Sequence, residues 1–98
     1  MNKTHHYIAR ITNLGDHLNV YFPDIPNCKA SGRTLNEALG NAKHNLYSYL
    51  LSRVNKGFPE EKFKAGNDGR IYHEFKVSLV DLLEFERARR HRAVFRKY

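Results

Sequence analysis

Six histidines, a single cysteine and a carboxylate held between two prolines are the residues of this 98-residue chain whose types could do chemistry. A transition-metal site would need histidine or cysteine ligands in paired short spacings. His5 and His6 are adjacent, so a strand would aim them at opposite faces, and His17, His44, His73 and His91 are scattered. The spacing therefore predicts no metal site. Cys28 could serve as a nucleophile beside a histidine, but with no second thiolate near it in sequence it reads first as a small buried hydrophobe. Asp24, in the run FPDIP, could be a catalytic carboxylate; its simpler role is to cap backbone amides in an Asx-type turn. There is no catalytic triad and no set of strand carboxylates suited to two magnesium ions. The expectation is a non-catalytic binding protein without a cofactor.

The densest charge lies at the C-terminal end. From Asp81 onward Arg87, Arg89, Arg90, Arg92, Arg96 and Lys97 set six positive charges against Asp81, Glu84 and Glu86. Acids in the first turns and bases in the last turns of a helix match its macrodipole, so part of this pattern is ordinary helix stabilisation. Six cations exceed what that requires. Arg89, Arg92 and Arg96 recur at helical spacing, and Phe95 and Tyr98 offer rings for stacking or docking. Arg87, Arg89, Arg90, Arg92, Phe95, Arg96, Lys97 and Tyr98 are therefore the expected contacts to a partner or to nucleic acid, against the plainer reading of a solvated helical face. The chain carries a net charge of +7, which favours polyanions through its long-range field.

The elements that must position these groups are written in hydrophobic period and turn chemistry. Tyr7, Ala9 and Ile11 alternate with Ile8 and Arg10, and Leu18, Val20 and Phe22 with Asn19 and Tyr21, which predicts two half-buried strands joined by a turn at Asn13, Gly15 and Asp16. Pro23 and Pro26 stiffen the corner that follows, and a short third strand is expected between Asn27 and Ser31. Thr34 with Glu37 forms a capping-box signature. It opens a helix expected from Leu35 to Lys56, with Leu35, Ala38, Leu39, Ala42, Leu46, Tyr49, Leu50 and Val54 on one face. Tyr47 falls off that stripe and is a candidate interface residue. Gly57 is a natural C′ position and Pro59 prevents resumption. Residues 60–69 are polar and end in GNDG, read as a hairpin or tight loop. Ile71, His73, Phe75, Val77 and Leu79 then alternate as a fourth strand, and Ser78 with Asp81 resembles a second N-cap for a C-terminal helix starting near Val80.

The order Phe22, Pro23, Asp24, Ile25, Pro26, Cys28, Gly32, Thr34, Leu35, Glu37, Ala38, Asn41 and Ala42 resembles the motif of the HicB family of antitoxins. The likeness runs from about Tyr7 to Pro59. It implies a small β-β-β-α-β core, described as a partial RNase H fold, that binds and blocks a small ribonuclease toxin, HicA. The family often carries a separate DNA-binding tail; the residues after the fourth strand are too few for two helices and a turn.

The chain is thus expected to be α+β: a three-stranded antiparallel start, a long helix, a fourth strand and a basic C-terminal helix. Residues 1–79 would form the HicB-like core and residues 80–98 the helix packed on it or extending from it. Ninety-eight residues suffice for one core only. No apolar run approaches the ~18 residues of a membrane span, and the N-terminus lacks a signal-peptide layout, so a cytoplasmic protein is expected. The leading function is an antitoxin or orphan antitoxin-like protein that masks a HicA-like toxin or another nucleic-acid-processing effector. A phage or mobile-element inhibitor, anti-CRISPR-like, is the alternative that the positive charge and short tail favour; a small basic nucleic-acid-binding accessory protein is a third. Open strand edges predict a homodimer.

Overall fold

The computed structural model describes residues 3–95, with side chains placed for residues 3–90. Its elements run β1 (Thr4–Asn13), β2 (Leu18–Tyr21), β3 (Lys29–Gly32), α1 (Leu35–Leu51), β4 (Ile71–Ser78) and α2 (Leu79–Phe95). The four strands form one sheet in the order β3-β2-β1-β4, each neighbour antiparallel. Alternation sends Tyr7, Ala9 and Ile11 of β1 and Val20 of β2 into one face, where they meet Ala38, Ala42, Leu46 and Leu50 of α1. That buried layer is the core.

The corners follow the local chemistry. Asn13 accepts the Gly15 amide through its side chain, and Gly15 takes φ +96°, which closes β1 onto β2. In the Pro-framed corner the Ile25 amide donates to the Phe22 carbonyl and the Cys28 amide to the Ile25 carbonyl, turning Phe22, Ile25 and Cys28 inward. Gly32 is required by a close approach: a Cβ there would overlap the Ala38 backbone where α1 crosses β3. Thr34 caps α1 as expected, its hydroxyl accepting the Glu37 amide at 3.1 Å. The Glu37 carboxylate reaches one residue further than a standard capping box, taking the Arg33 amide at 2.9 Å.

Five expectations need correction. The helix ends at Leu51, not Lys56, because the Arg53 and Val54 amides turn to carbonyls three residues back, and Gly57 at φ +91° closes the last turn onto Arg53. Val54 lies beyond that end and is exposed, and Leu35 at the opposite end of α1 is exposed too, so neither joins the buried face expected of the helix. Residues 57–70 are neither hairpin nor tight loop: they cross from the end of α1 to the far edge of the sheet, where β4 pairs with β1. Leu79 does not end the strand but opens α2, since the Ser78 and Asp81 side chains exchange hydrogen bonds with each other's amides at 3.2 and 2.9 Å. Tyr47 is 7% exposed and packs edge-on against Phe85 of α2, so it belongs to the core.

Candidate binding surface

The residues nominated for chemistry are mostly structural. Asp24 caps amides, but remote ones rather than those of its own turn: its carboxylate accepts from Lys62 and Phe63 at 3.0 Å and so pins the crossover. Tyr7 donates to the Pro59 carbonyl at 2.8 Å, and burial, with Glu61 and Asp24 nearby, pushes its phenol up to about 12. Glu61 accepts the His6 amide at 2.8 Å and contacts His5 Nδ1 at 3.0 Å. Burial opposes its charge, yet the His6 amide and the His5 side chain hold its carboxyl below the ordinary range. Three segments of the crossover are therefore tied to β1 and the Pro-framed corner. Cys28 is buried, and burial pushes its thiol up to about 11, away from thiolate chemistry at neutral pH. Among the described residues no three His, Cys, Asp or Glu side chains gather as a metal site. Among the described residues no helix is long and apolar enough to cross a membrane.

The basic segment forms the outer part of α2. Leu82 is fully buried, and Phe85 packs edge-on against His44 and Tyr47 of α1 with centroids 5.3 and 5.4 Å apart, which fixes the helix to the core. Beyond this anchor Glu86 bonds Arg89 at 2.8 Å and Arg90 at 2.9 Å, and the two guanidinium groups hold its carboxyl below the ordinary range. Arg89 also lies 5.4 Å from the Phe85 ring centroid. These contacts orient two of the nominated arginines along the helix while leaving them exposed; Arg87 is exposed as well. The side chains of Arg92 and Phe95, and Arg96, Lys97 and Tyr98 altogether, lie outside the described residues. Sequence reasoning did not single out a further feature of α2, an apolar flank just before the cations in which Leu79, Val80 and Leu83 are 45%, 43% and 55% exposed. The excess of apolar residues between Leu79 and Leu83 over what one buried stripe needs was its signal.

The sheet face opposite α1 is the second candidate. Register places Tyr72, Arg10, Tyr21 and Lys29 in a single row across all four strands. Arg10 lies 5.8 Å from the Tyr21 ring centroid, and Phe63 of the crossover approaches Tyr72 at 5.7 Å. Next to this row Thr12, Asn19 and Ser31 line a shallow groove of about 510 Å³ together with Tyr21 and Lys29. The outward positions of each strand were legible from alternation, but their alignment into a row depends on a pairing order that alternation does not contain.

No family model matches the sequence, and no curated protein matches it. Among solved structures the chain is similar to the N-terminal domain of the Burkholderia pseudomallei antitoxin HicB, with a TM-score of 0.61 and 18% identity, covering 76% of this chain and 100% of that one. It is also similar to a chain of a HicA3 and HicB3 toxin-antitoxin complex, with a TM-score of 0.51 and 23% identity, covering 71% of this chain and 94% of that one. The shared feature is the fold.

Proposed function

We propose that this chain, which has the HicB-like fold, is a non-catalytic antitoxin-like protein that masks a small toxin or another nucleic-acid-processing partner. The observation that carries this reading is the fold itself: the match takes in the whole of a HicB N-terminal domain. A second neighbour comes from a complex of toxin and antitoxin, which supports a protein as partner. Residues 1–79 act as the binding core and residues 80–98 as a contact segment that includes most of α2. On α2 the exposed Leu79, Val80 and Leu83 supply an apolar anchor, and Arg87, Arg89 and Arg90 a charged rim, the division of labour common at protein interfaces. Arg92, Phe95, Arg96, Lys97 and Tyr98 extend that rim in sequence.

The net charge of +7 bears on the choice of partner. It repels a basic toxin at long range and attracts an acidic protein surface or a nucleic acid. That observation favours a second reading, in which the chain is a mobile-element inhibitor of a larger nucleic-acid-processing effector. Affinity capture with the tagged full chain and mass spectrometry separates them. A small ribonuclease-type toxin, whose growth arrest is relieved by co-expression, is the expected result; a large effector complex supports the second reading. Capture of neither, or metal-dependent cleavage of RNA by the purified protein, overturns both.

A further inference from the structure

The sheet face opposite α1 carries aromatic rings and cations in alternation. Along the row Tyr72, Arg10, Tyr21 and Lys29 each neighbour is one strand apart, so the row spans about 14 Å and its two tyrosines stand about 10 Å from each other. Tyr21 is 36% exposed and Lys29 is exposed, while Arg10, over the Tyr21 ring, and Tyr72, beside Phe63, are half-buried. Among the described residues Arg10 and Lys29 form no ion pair. The carboxylates nearby are engaged instead: Glu74 meets His6 at 3.1 Å, while Asp68 takes the Tyr72 hydroxyl at 2.9 Å and the Arg70 amide at 3.1 Å. Arg10 and Lys29 are thus not paired with a carboxylate within the row, and the chain's net charge of +7 adds to their attraction for an anion.

We propose that this open face binds single-stranded nucleic acid across the strands. Unpaired bases stack on Tyr21 and Tyr72, and the phosphates between them meet Arg10 and Lys29. Every base has a π-face, so rings set at strand spacing with cations between them accept an unpaired strand whatever its sequence. A duplex, whose bases are stacked on one another, cannot use the rings. The row of Thr12, Asn19 and Ser31 beside it lines the adjoining groove with amide and hydroxyl groups able to meet base edges. An acidic protein surface would satisfy Arg10 and Lys29 but gives no reason for the in-line rings. This site is distinct from α2, and its fate does not depend on the antitoxin reading.

The test uses the full chain and fluorescein-labelled 12-mers, single-stranded oligo(U) and oligo(dT) against a duplex of equal length, followed by anisotropy at several salt concentrations. Single strands should bind more tightly than duplex. Tyr21→Ala should weaken single-strand binding by about ten-fold or more while leaving duplex binding unchanged. Tyr21→Phe should keep most of the affinity. Arg10→Ala and Lys29→Ala should each flatten the slope of log affinity against log salt by about 0.7. Arg89→Ala, on α2, should act on both probes alike or on neither. Crosslinking of the unaltered protein to 5-iodouridine oligomers guards against a variant that fails to fold, and it should label Tyr21 or Tyr72. Crosslinks confined to α2, equal loss of duplex and single-strand binding in Tyr21→Ala, or no binding to either probe would overturn the proposal. Protection of Tyr21 by a captured protein partner in place of nucleic acid would do the same, while leaving the antitoxin reading in place.

Discussion

Leu46 and Thr34 contribute to α1 in different ways and should be separable by mutation. Leu46 is fully buried between helix and sheet, so Leu46→Ala should cost about 2 to 5 kcal/mol, whereas Thr34→Ala removes one exposed cap and should cost about 1 kcal/mol. Urea denaturation of both variants checks the order. Cys28 makes a different prediction. Burial keeps its thiol high and covered, so alkylation of the native protein at pH 8 should be slow and should accelerate by orders of magnitude in urea. Equal rates in the two conditions would mean that the Pro-framed corner opens readily. Glu61 links one residue to pH. Its carboxyl is held below its unfolded value of 4.5, so the stability it adds is complete above about pH 4.5 and is lost as pH falls through the folded value. Glu61→Gln should therefore destabilise by about 1 kcal/mol at pH 7, after discounting two solvent-exposed contacts, and the gap from the unaltered protein should narrow as pH falls below the unfolded value.

At the scale of the element, α2 is held through few contacts. Leu82 and Phe85 are its buried or half-buried anchors against α1, while Leu79, Val80 and Leu83 face outward. Leu82→Ala should release the helix selectively, lowering amide-exchange protection in α2 more than in α1. The crossover 57–70 contributes no fully buried side chain, only Phe58 packed against the core, and is tied along its path by Asp24, Tyr7 and Glu61. Asp24→Ala should leave the sheet intact and expose the Lys62 and Phe63 amides to exchange, since both lose their acceptor. Retained protection at those two amides would show that packing alone holds the crossover.

As a whole molecule the sheet has two free edges, β3 with four residues and β4 with eight. Long open edges offer unpaired backbone groups to a second chain, and β4 is the better template of the two. We expect a homodimer, which light scattering at tens of micromolar checks; a monomer mass there sinks the expectation. Lys76 and the charge of +7 oppose unlimited edge pairing, which favours a closed two-fold assembly over a filament.

Much of the fold was legible because local chemistry carries it. Alternation marked the inward residues Tyr7, Ala9, Ile11 and Val20; Thr34 with Glu37 and Ser78 with Asp81 marked both helix starts; the Pro-framed run marked the stiff corner. These signals act over two to four residues and need no partner elsewhere in the chain. The end of α1 was misread because Val54 keeps the helical period yet remains 45% exposed, outside the core. Tyr47 was misread for the converse reason, its burial coming from Phe85, which lies 38 residues away. Asp24 was expected to cap amides and does, but which amides it caps depends on where the crossover runs. For the candidate sites the division is the same. The cations of α2 stand together in the sequence and could be named from it, whereas Tyr72, Arg10, Tyr21 and Lys29 lie on four strands and become one surface only when β4 crosses to pair with β1. Period and capping are properties of neighbouring residues, but strand order is decided by which distant segments bury each other, and only the tertiary structure contains that choice.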